Sequence, residues 1–389
     1  MKALSKAAVD VPFSPVRQMF DRALGMTDVI SFTVGEPDFY TPEHIVEAAV
    51  DALHNGQHKY TPNAGILPLR QTVAESTQQT HGISYDPNSE IIITSGGTQA
   101  LSLAMLTLLD PGDEMILSDP CWTNYYCQVQ MYGAVPKFIS VNAENNFHFE
   151  PDALEAAITP KTKAFILNSP ANPTGGVADP ELVKKLADIA IRHDLYVISD
   201  EVYADLTYDG SRPFSIATLP GMKERTIIIN SFSKTYAMCG WRVAWAMGPA
   251  EIVRNMVKLQ ENVVACVNSA AQYGAIAALK GTQEPLHEMQ RAYARRRDII
   301  VDGFNAIPGL KCFAPQGAFY AFEDISATGM KAMDFAMDLL DKAKVIVVPG
   351  HAFGPGSDRY VRLVFATSEE NIREGLRRIG QYMSHYHSL

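Results

Sequence analysis

Ser231-Phe-Ser-Lys-Thr-Tyr-Ala-Met-Cys-Gly-Trp-Arg242 follows directly on the apolar run Thr226-Ile-Ile-Ile229. A β-branched run of this kind reads as a buried strand. Lys234 therefore stands at the mouth of that strand, among small and hydroxylated residues, with Arg242 eight positions on. An amine held in such a poorly solvated place is suited to attack a carbonyl carbon. Arg242, with Ser231 and Ser233, can hold a phosphate group. Together these residues suggest a covalently held, phosphorylated aldehyde cofactor. The plain alternative is a solvated loop lysine, and the spacing alone does not decide between the two.

Outward from this stretch, short apolar runs recur at 90–94, 114–117, 135–141, 163–167, 195–199, 226–230 and 243–247. Several are apolar on both faces, as in parallel strands covered by helices. Helical candidates lie between them at 98–109, 151–158 and 180–193. The alternation predicts an α/β fold with a mostly parallel central sheet covered by helices. Beyond residue 250 a charged helical region is expected over 249–306, broken near Gly281 and Pro285. Strand-like runs follow at 318–322, 345–349 and 360–365, then a closing helix over 368–386 with Ser368 as its N-cap. This predicts a smaller α+β domain, with the segment from Phe13 to Ala23 packed against it. The division expected is 41–275 for the large domain, and 1–40 with 276–389 for the small one.

Ligands in open α/β sheets bind at the carboxyl ends of strands, so the polar residues there are the candidates. After the run at 91–94 comes Ser95-Gly-Gly-Thr-Gln99, opening a helix. Two glycines and a helix N-terminus make a phosphate site, or simply a glycine turn. After 164–167 comes Asn168-Ser-Pro-Ala-Asn-Pro-Thr-Gly175, where Asn172 stands between prolines in a stiff loop. After 195–199 comes Asp200-Glu-Val-Tyr203. An aspartate at the inner end of an apolar strand is costly to bury without a cation, and a pyridinium nitrogen is such a cation. A helix N-cap is the competing reading for Asp200. Phosphate site, amide, aspartate and lysine occur in order, each after its own strand, which makes coincidence a poor explanation. No nucleotide-binding glycine fingerprint competes.

With these pieces in place, the chain resembles the class I/II aminotransferases, pyridoxal-phosphate enzymes of fold type I, in the style of their aspartate and aromatic branch. The resemblance spans nearly the whole length through Val34-Gly-Glu-Pro-Asp-Phe39, Tyr60-Thr-Pro-Asn-Ala-Gly65, Ser95 to Ala100, Trp122, Asn168 to Gly175, Ser199 to Tyr203, the lysine segment, and Val361-Arg-Leu363. It implies that Lys234 carries pyridoxal phosphate as a Schiff base and then acts as acid and base. It implies phosphate contacts from Gly97, Thr98, Gln99, Ser231, Ser233 and Arg242, and a Trp122 ring stacked on the pyridine. Asp200 would pair with the ring nitrogen, while Asn172 and Tyr203 bond the ring hydroxyl oxygen. Arg362 would grip the substrate α-carboxylate, helped by Asn172 and the backbone at Gly35. Tyr60 would reach the phosphate of a second subunit, so a homodimer is implied. Plainer roles remain open: Trp122 as a core aromatic, Arg362 as a surface ion pair, Ser233 as a support for the lysine loop.

The resemblance implies transamination between an L-amino acid and a 2-oxo acid, 2-oxoglutarate by family habit. Thr98 stands where relatives that prefer dicarboxylates often carry a lysine, so aromatic, aliphatic and aspartate-like donors all stay open. A carbon–sulfur β-lyase on the same fold is the rival enzyme. A non-catalytic regulator is a third reading, disfavoured because every catalytic position is filled. The 389 residues suffice for two or three domains. A net charge of −10 shows no basic footprint for nucleic acid. The five cysteines form no Cys-x-x-Cys pair, so neither a disulfide framework nor a metal site is expected. No apolar run approaches the roughly 18 residues of a membrane helix, and the expected location is the cytoplasm.

Overall fold

The structure, a computed structural model, describes residues 2–12, 15–211 and 213–386. Its first strand, β1 (Ile30–Ser31), belongs to a small two-stranded pair introduced below. The central sheet takes the next seven: β2 (Ile91–Thr94), β3 (Glu114–Asp119), β4 (Val135–Ser140), β5 (Thr162–Asn168), β6 (Tyr196–Asp200), β7 (Thr226–Ser231) and β8 (Ala244–Met247). Their order is β2-β8-β7-β6-β5-β3-β4. All neighbours are parallel except β8, which runs antiparallel to both β2 and β7. The mostly parallel sheet expected from the sequence is therefore present, with one reversed strand.

Burial explains why these runs are β-branched and apolar throughout. Ile227, Ile228 and Ile229 of β7 are each essentially inaccessible to solvent. One face of the sheet packs on the helices Gly97–Leu108, Thr123–Met131 and Ala250–Val263. The other face is covered in two parts, one by the helix Pro180–Arg192 and one by Glu43–His54, Leu67–His81 and Ser269–Lys280. Each such isoleucine contributes roughly 1.5–3 kcal/mol by leaving water. Helix ends follow local chemistry: Asp179 accepts from the Glu181 and Leu182 amides at 2.9 Å, just ahead of Pro180.

The remaining strands are β9 (Lys311–Cys312), β10 (Tyr320–Asp324), β11 (Val345–Ile346), β12 (Val348–Pro349) and β13 (Tyr360–Val364). They form a four-stranded sheet ordered β12-β13-β10-β9, while β11 pairs in parallel with β1. The helix Glu284–Asn305 and the closing helix Glu369–Tyr386 cover this region, and Met19 of the helix Pro15–Ala23 is buried in the same cluster. Phe13 lies outside the described residues. Ser368 accepts from the Asn371 amide at 3.1 Å, the cap read from the sequence.

Three expectations about elements need correcting. The helical region after residue 249 breaks twice, not once: Ala265 takes a left-handed conformation (φ 64°) and Asn268 caps the next helix through the Ala271 amide. The run at 345–349 is two strands that pair with different partners, β1 and β13. The run expected at 318–322 begins two residues late, because Ala318 sits at φ 57° in the turn before β10.

Candidate active site

Strands β2, β5, β6 and β7 point the same way, so their last residues collect on one edge of the sheet. Asn168 ends β5 in register with Asp200, the last residue of β6. Ser231 ends β7 and starts the short helix Phe232–Thr235, which carries Lys234. Thr94 ends β2, and the Ser95–Gly96 turn leads into the helix Gly97–Leu108. A cavity of about 550 Å³ opens at this edge. It is within the size range of small-molecule sites.

Asp200 is buried at its floor. Its Oδ2 accepts from the Tyr125 hydroxyl at 2.6 Å and its Oδ1 from the Val202 amide at 3.3 Å. Burial pushes its pKa up to about 6, although both hydrogen bonds pull the other way. No cationic side chain pairs with it among the described residues. Above it, Lys234 Nζ donates to the Gly35 carbonyl at 2.5 Å and lies 3.6 Å from the Cys239 sulfur. Ser231 Oγ accepts from the Ser233 amide at 3.1 Å and donates to Ser233 Oγ at 2.9 Å. The two serines thus brace the lysine turn as well as facing the cavity.

Arg242 adopts a left-handed backbone, φ 55°. Its guanidinium donates to the Cys239 carbonyl at 2.9 Å and the Ser95 carbonyl at 3.4 Å. Gly96 makes that approach feasible. Its φ is +88°, and a Cβ there would lie 2.2 Å from Arg242 Nη2. The glycine therefore makes room for the arginine. Gly96→Ala should cost about 1–3 kcal/mol in backbone strain, since φ 88° with ψ 161° is open essentially to glycine alone, and displace Arg242; the phosphate role expected of Arg242 then predicts pyridoxal phosphate binding about tenfold or more weaker. A fluorescence titration of variant and parent with the cofactor checks this; equal affinities would remove Arg242 from the cofactor site.

At the opposite wall Arg362 is buried in β13. Nη1 donates to Asn172 Oδ1 at 3.2 Å and Nη2 to the Thr33 carbonyl at 2.8 Å, while Nε has no partner among the described residues. The guanidinium carbon lies 4.7 Å and 4.9 Å from the Tyr320 and Phe353 ring centroids. A surface ion pair is thereby ruled out for Arg362. Tyr203 shares a 2.6 Å hydrogen bond with Tyr320, and burial holds its hydroxyl well above the ordinary tyrosine range, so it stays protonated.

Gly35, Gly97, Thr98, Trp122, Asn172 and Asp200 all line this one cavity. So do Tyr203, Ser231, Ser233, Lys234, Arg242 and Arg362. Two expected residues do not. Gln99 turns back so that its Oε1 accepts from the Ser95 amide at 2.5 Å, bracing the glycine turn. Tyr60 lies outside and is 92% exposed. Sequence reasoning missed Tyr125, Tyr320, Thr33 and Cys239. Tyr125 had a signal, standing on the first turn after Trp122 and packing edge-on to its ring at 5.5 Å. Tyr320 had none, since it reads as one more apolar strand residue.

These groups fit pyridoxal phosphate. A buried carboxylate without a cation accommodates a pyridinium nitrogen, an amine stands within the same cavity, and the first amides of the helix Gly97–Leu108 face an anion site beside Arg242. The unpaired Nε of Arg362 leaves donor capacity for a carboxylate.

Comparison with known proteins agrees. The family model described as aminotransferase class I and II matches residues 27–379. Aromatic-amino-acid aminotransferase 2 of Thermococcus litoralis is 41% identical over 379 residues, 97% of each chain. An aspartate aminotransferase of Pyrococcus abyssi is 42% identical over 368 residues, 94% of each chain. The crystal structure of the aspartate aminotransferase from Rhizobium meliloti superposes with a TM-score of 0.95 at 37% identity, covering 99% of both chains. With a model that covers most of its length and relatives that align end to end, the chain belongs to the class I and II aminotransferases and is a pyridoxal-phosphate-dependent enzyme of fold type I.

Proposed function

We propose that this aminotransferase moves the amino group of an L-amino acid (aromatic, aliphatic or aspartate-like) to a 2-oxo acid, 2-oxoglutarate, in a ping-pong sequence. The observation that carries the reading is the pairing, in one cavity, of the Lys234 amine with the buried, incompletely partnered Arg362 guanidinium. When bound, the cofactor supplies an electron sink for the charge that develops at the substrate Cα.

The protein's own residues do the rest. Lys234 would hold the cofactor through Nζ, and its amine is the group in the cavity that would take up and return the substrate Cα proton. Asp200, anchored by Tyr125, holds a proton on the ring nitrogen. Tyr203 and Asn172 would address the ring hydroxyl oxygen, and Trp122 would cover the ring face. Gly97, Thr98, Ser231, Ser233 and Arg242 hold the phosphate. Arg362, fixed by Asn172 and the Thr33 carbonyl, grips the α-carboxylate with help from the main chain at Gly35. A rigid grip of this kind brings the Cα within reach of Nζ.

Tyr60 supports a homodimer in which it reaches the partner's phosphate, since its ring is almost wholly exposed beside none of its own site groups. The domain division at 41–275 against 1–40 and 276–389 is part of the same reading. Five free thiols support a cytoplasmic setting. No helix among the described residues is long and apolar enough to cross a membrane.

The test is a half-reaction. Purified enzyme loaded with cofactor is given one amino acid at a time, with no oxo acid present. The expected result is loss of the visible cofactor band with release of one 2-oxo acid per site, and its return on adding 2-oxoglutarate. A band that persists while pyruvate and ammonia accumulate would instead establish the lyase.

A further inference from the structure

The segment Val34-Gly-Glu-Pro-Asp-Phe39 roofs the substrate end of the cavity. Val34 and Gly35 line it, and the Gly35 carbonyl faces Lys234. The segment lies in no helix or strand, and its main chain makes no hydrogen bond to other main-chain groups among the described residues. Its placement is nevertheless tight: a Cβ on Gly35 would stand 2.7 Å from the Tyr320 hydroxyl. Something other than a backbone ladder has to fix it.

That something is on the helix Glu284–Asn305. Arg296 binds Asp38 through both arms of its guanidinium, Nη1 to Oδ1 at 2.8 Å and Nη2 to Oδ2 at 2.9 Å. The arginine is 11% exposed in this pair and the aspartate 30%. The guanidinium also lies 5.3 Å from the Phe39 ring centroid and 5.5 Å from that of Tyr293, and those two rings pack edge-on at 5.6 Å. A planar fork held bidentately and packed close to two rings defines position and orientation in a way a lysine ammonium does not. The neighbouring Thr41 hydroxyl donates to the Ala237 carbonyl at 2.7 Å, closing the far end of the loop onto the lysine segment.

We propose that the Arg296–Asp38 pair is the latch that positions the 34–39 loop over the substrate carboxylate, making both residues positioning residues for amino-donor binding. Neither touches the cofactor cavity, so the latch acts through Gly35 and Val34. This rests on the reading that the α-carboxylate binds at Arg362 beneath Gly35. An interaction that holds substrate equally in ground and transition states moves KM and leaves kcat alone.

The experiment uses the loaded enzyme with Asp38→Asn, Arg296→Lys and, as a reference for the carboxylate site, Arg362→Lys. Steady-state kinetics are paired with binding of 3-phenylpropionate, a carboxylic acid with no amino group, read as a shift in the cofactor's absorbance. The expected result for Asp38→Asn is a rise of about tenfold in both KM and inhibitor Kd. Its kcat and cofactor affinity should stay within about twofold of the parent. Arg296→Lys keeps the charge but loses the fork, and should give an intermediate rise; it carries the test if Asp38→Asn folds poorly. A merely structural role would lower the melting temperature without separating KM from kcat. Unchanged KM and Kd in both latch variants, with Arg362→Lys impaired, would overturn the latch alone. Unchanged binding in Arg362→Lys would overturn the carboxylate reading beneath it.

Discussion

Lys234→Ala is expected to lose transamination by on the order of 10⁴-fold or more, because the proposed mechanism gives one side chain both the attachment point and the proton carrier. Lys234 supplies the one amine among the side chains lining the cavity. Its removal leaves Arg242 and Arg362 as the cationic side chains of the cavity, and neither carries an amine that can attach the cofactor. The fold should survive, since the ammonium's contacts are few: a hydrogen bond to the Gly35 carbonyl, a long contact to Cys239 and a place 5.7 Å from the Phe319 ring centroid. Stability should move by no more than about 1 kcal/mol. Turnover, the visible cofactor band and the circular dichroism spectrum are measured together. A variant that keeps a tenth of the parent's rate with its band intact would end the assignment; lost activity with an unfolded spectrum would call for Lys234→Arg instead.

The second large effect belongs to Asp200, where activity and stability should move in opposite directions. Asp200→Asn should reduce kcat/KM on the order of 10³-fold, because the proposed mechanism sets this preorganised charge opposite the ring nitrogen. In the cofactor-free protein the same change should stabilise. Burial raises the Asp200 pKa from 3.8 to about 6. Between these values the folded chain holds more protons than the unfolded one, so stability falls as pH rises through the window. Above pH 6 the full penalty is present, about 3 kcal/mol for a shift of that size. Asparagine escapes it while still accepting from Tyr125. Thermal melts of the two cofactor-free proteins should thus differ most at pH 7 and converge near pH 4. A difference that stays constant from pH 4 to 7 would mean that Asp200 does not titrate in this range.

How far the sequence led depends on what kind of signal each residue carried. The β-branched runs were legible because a strand covered on both faces leaves little choice but isoleucine and valine. The polar residues that end those runs were legible for the complementary reason, since a charge at the end of an apolar strand demands a partner. Arg362 was named through the family resemblance instead, since it stands inside the apolar run Val361 to Phe365 rather than at its end. Tyr320 was not, because a tyrosine in a strand is ordinary and only three-dimensional packing shows its hydroxyl against Tyr203. The turn of the Gln99 side chain back to the Ser95 amide was not legible, because sequence adjacency does not say which way a side chain points. The double pairing of 345–349 was hidden because one extended segment reads alike whichever sheet receives each half.

The pairing of β1 with β11 joins Ile30 to Val345, and the edge strand β2 meets the main sheet only through β8, with Ile91 opposite Met247. Both contacts close very long loops, and such closures are slow because chain entropy is lost before any contact rewards it. During synthesis β2 emerges with no neighbour in the sheet until some 150 residues later have left the ribosome, and β1 waits for nearly the whole chain. The nascent protein therefore carries an uncovered Ile-Ile-Ile edge for many seconds at ordinary elongation rates. Yield from the cell is therefore expected to fall when edge-shielding chaperones are depleted, even though the stability of the finished fold is unchanged.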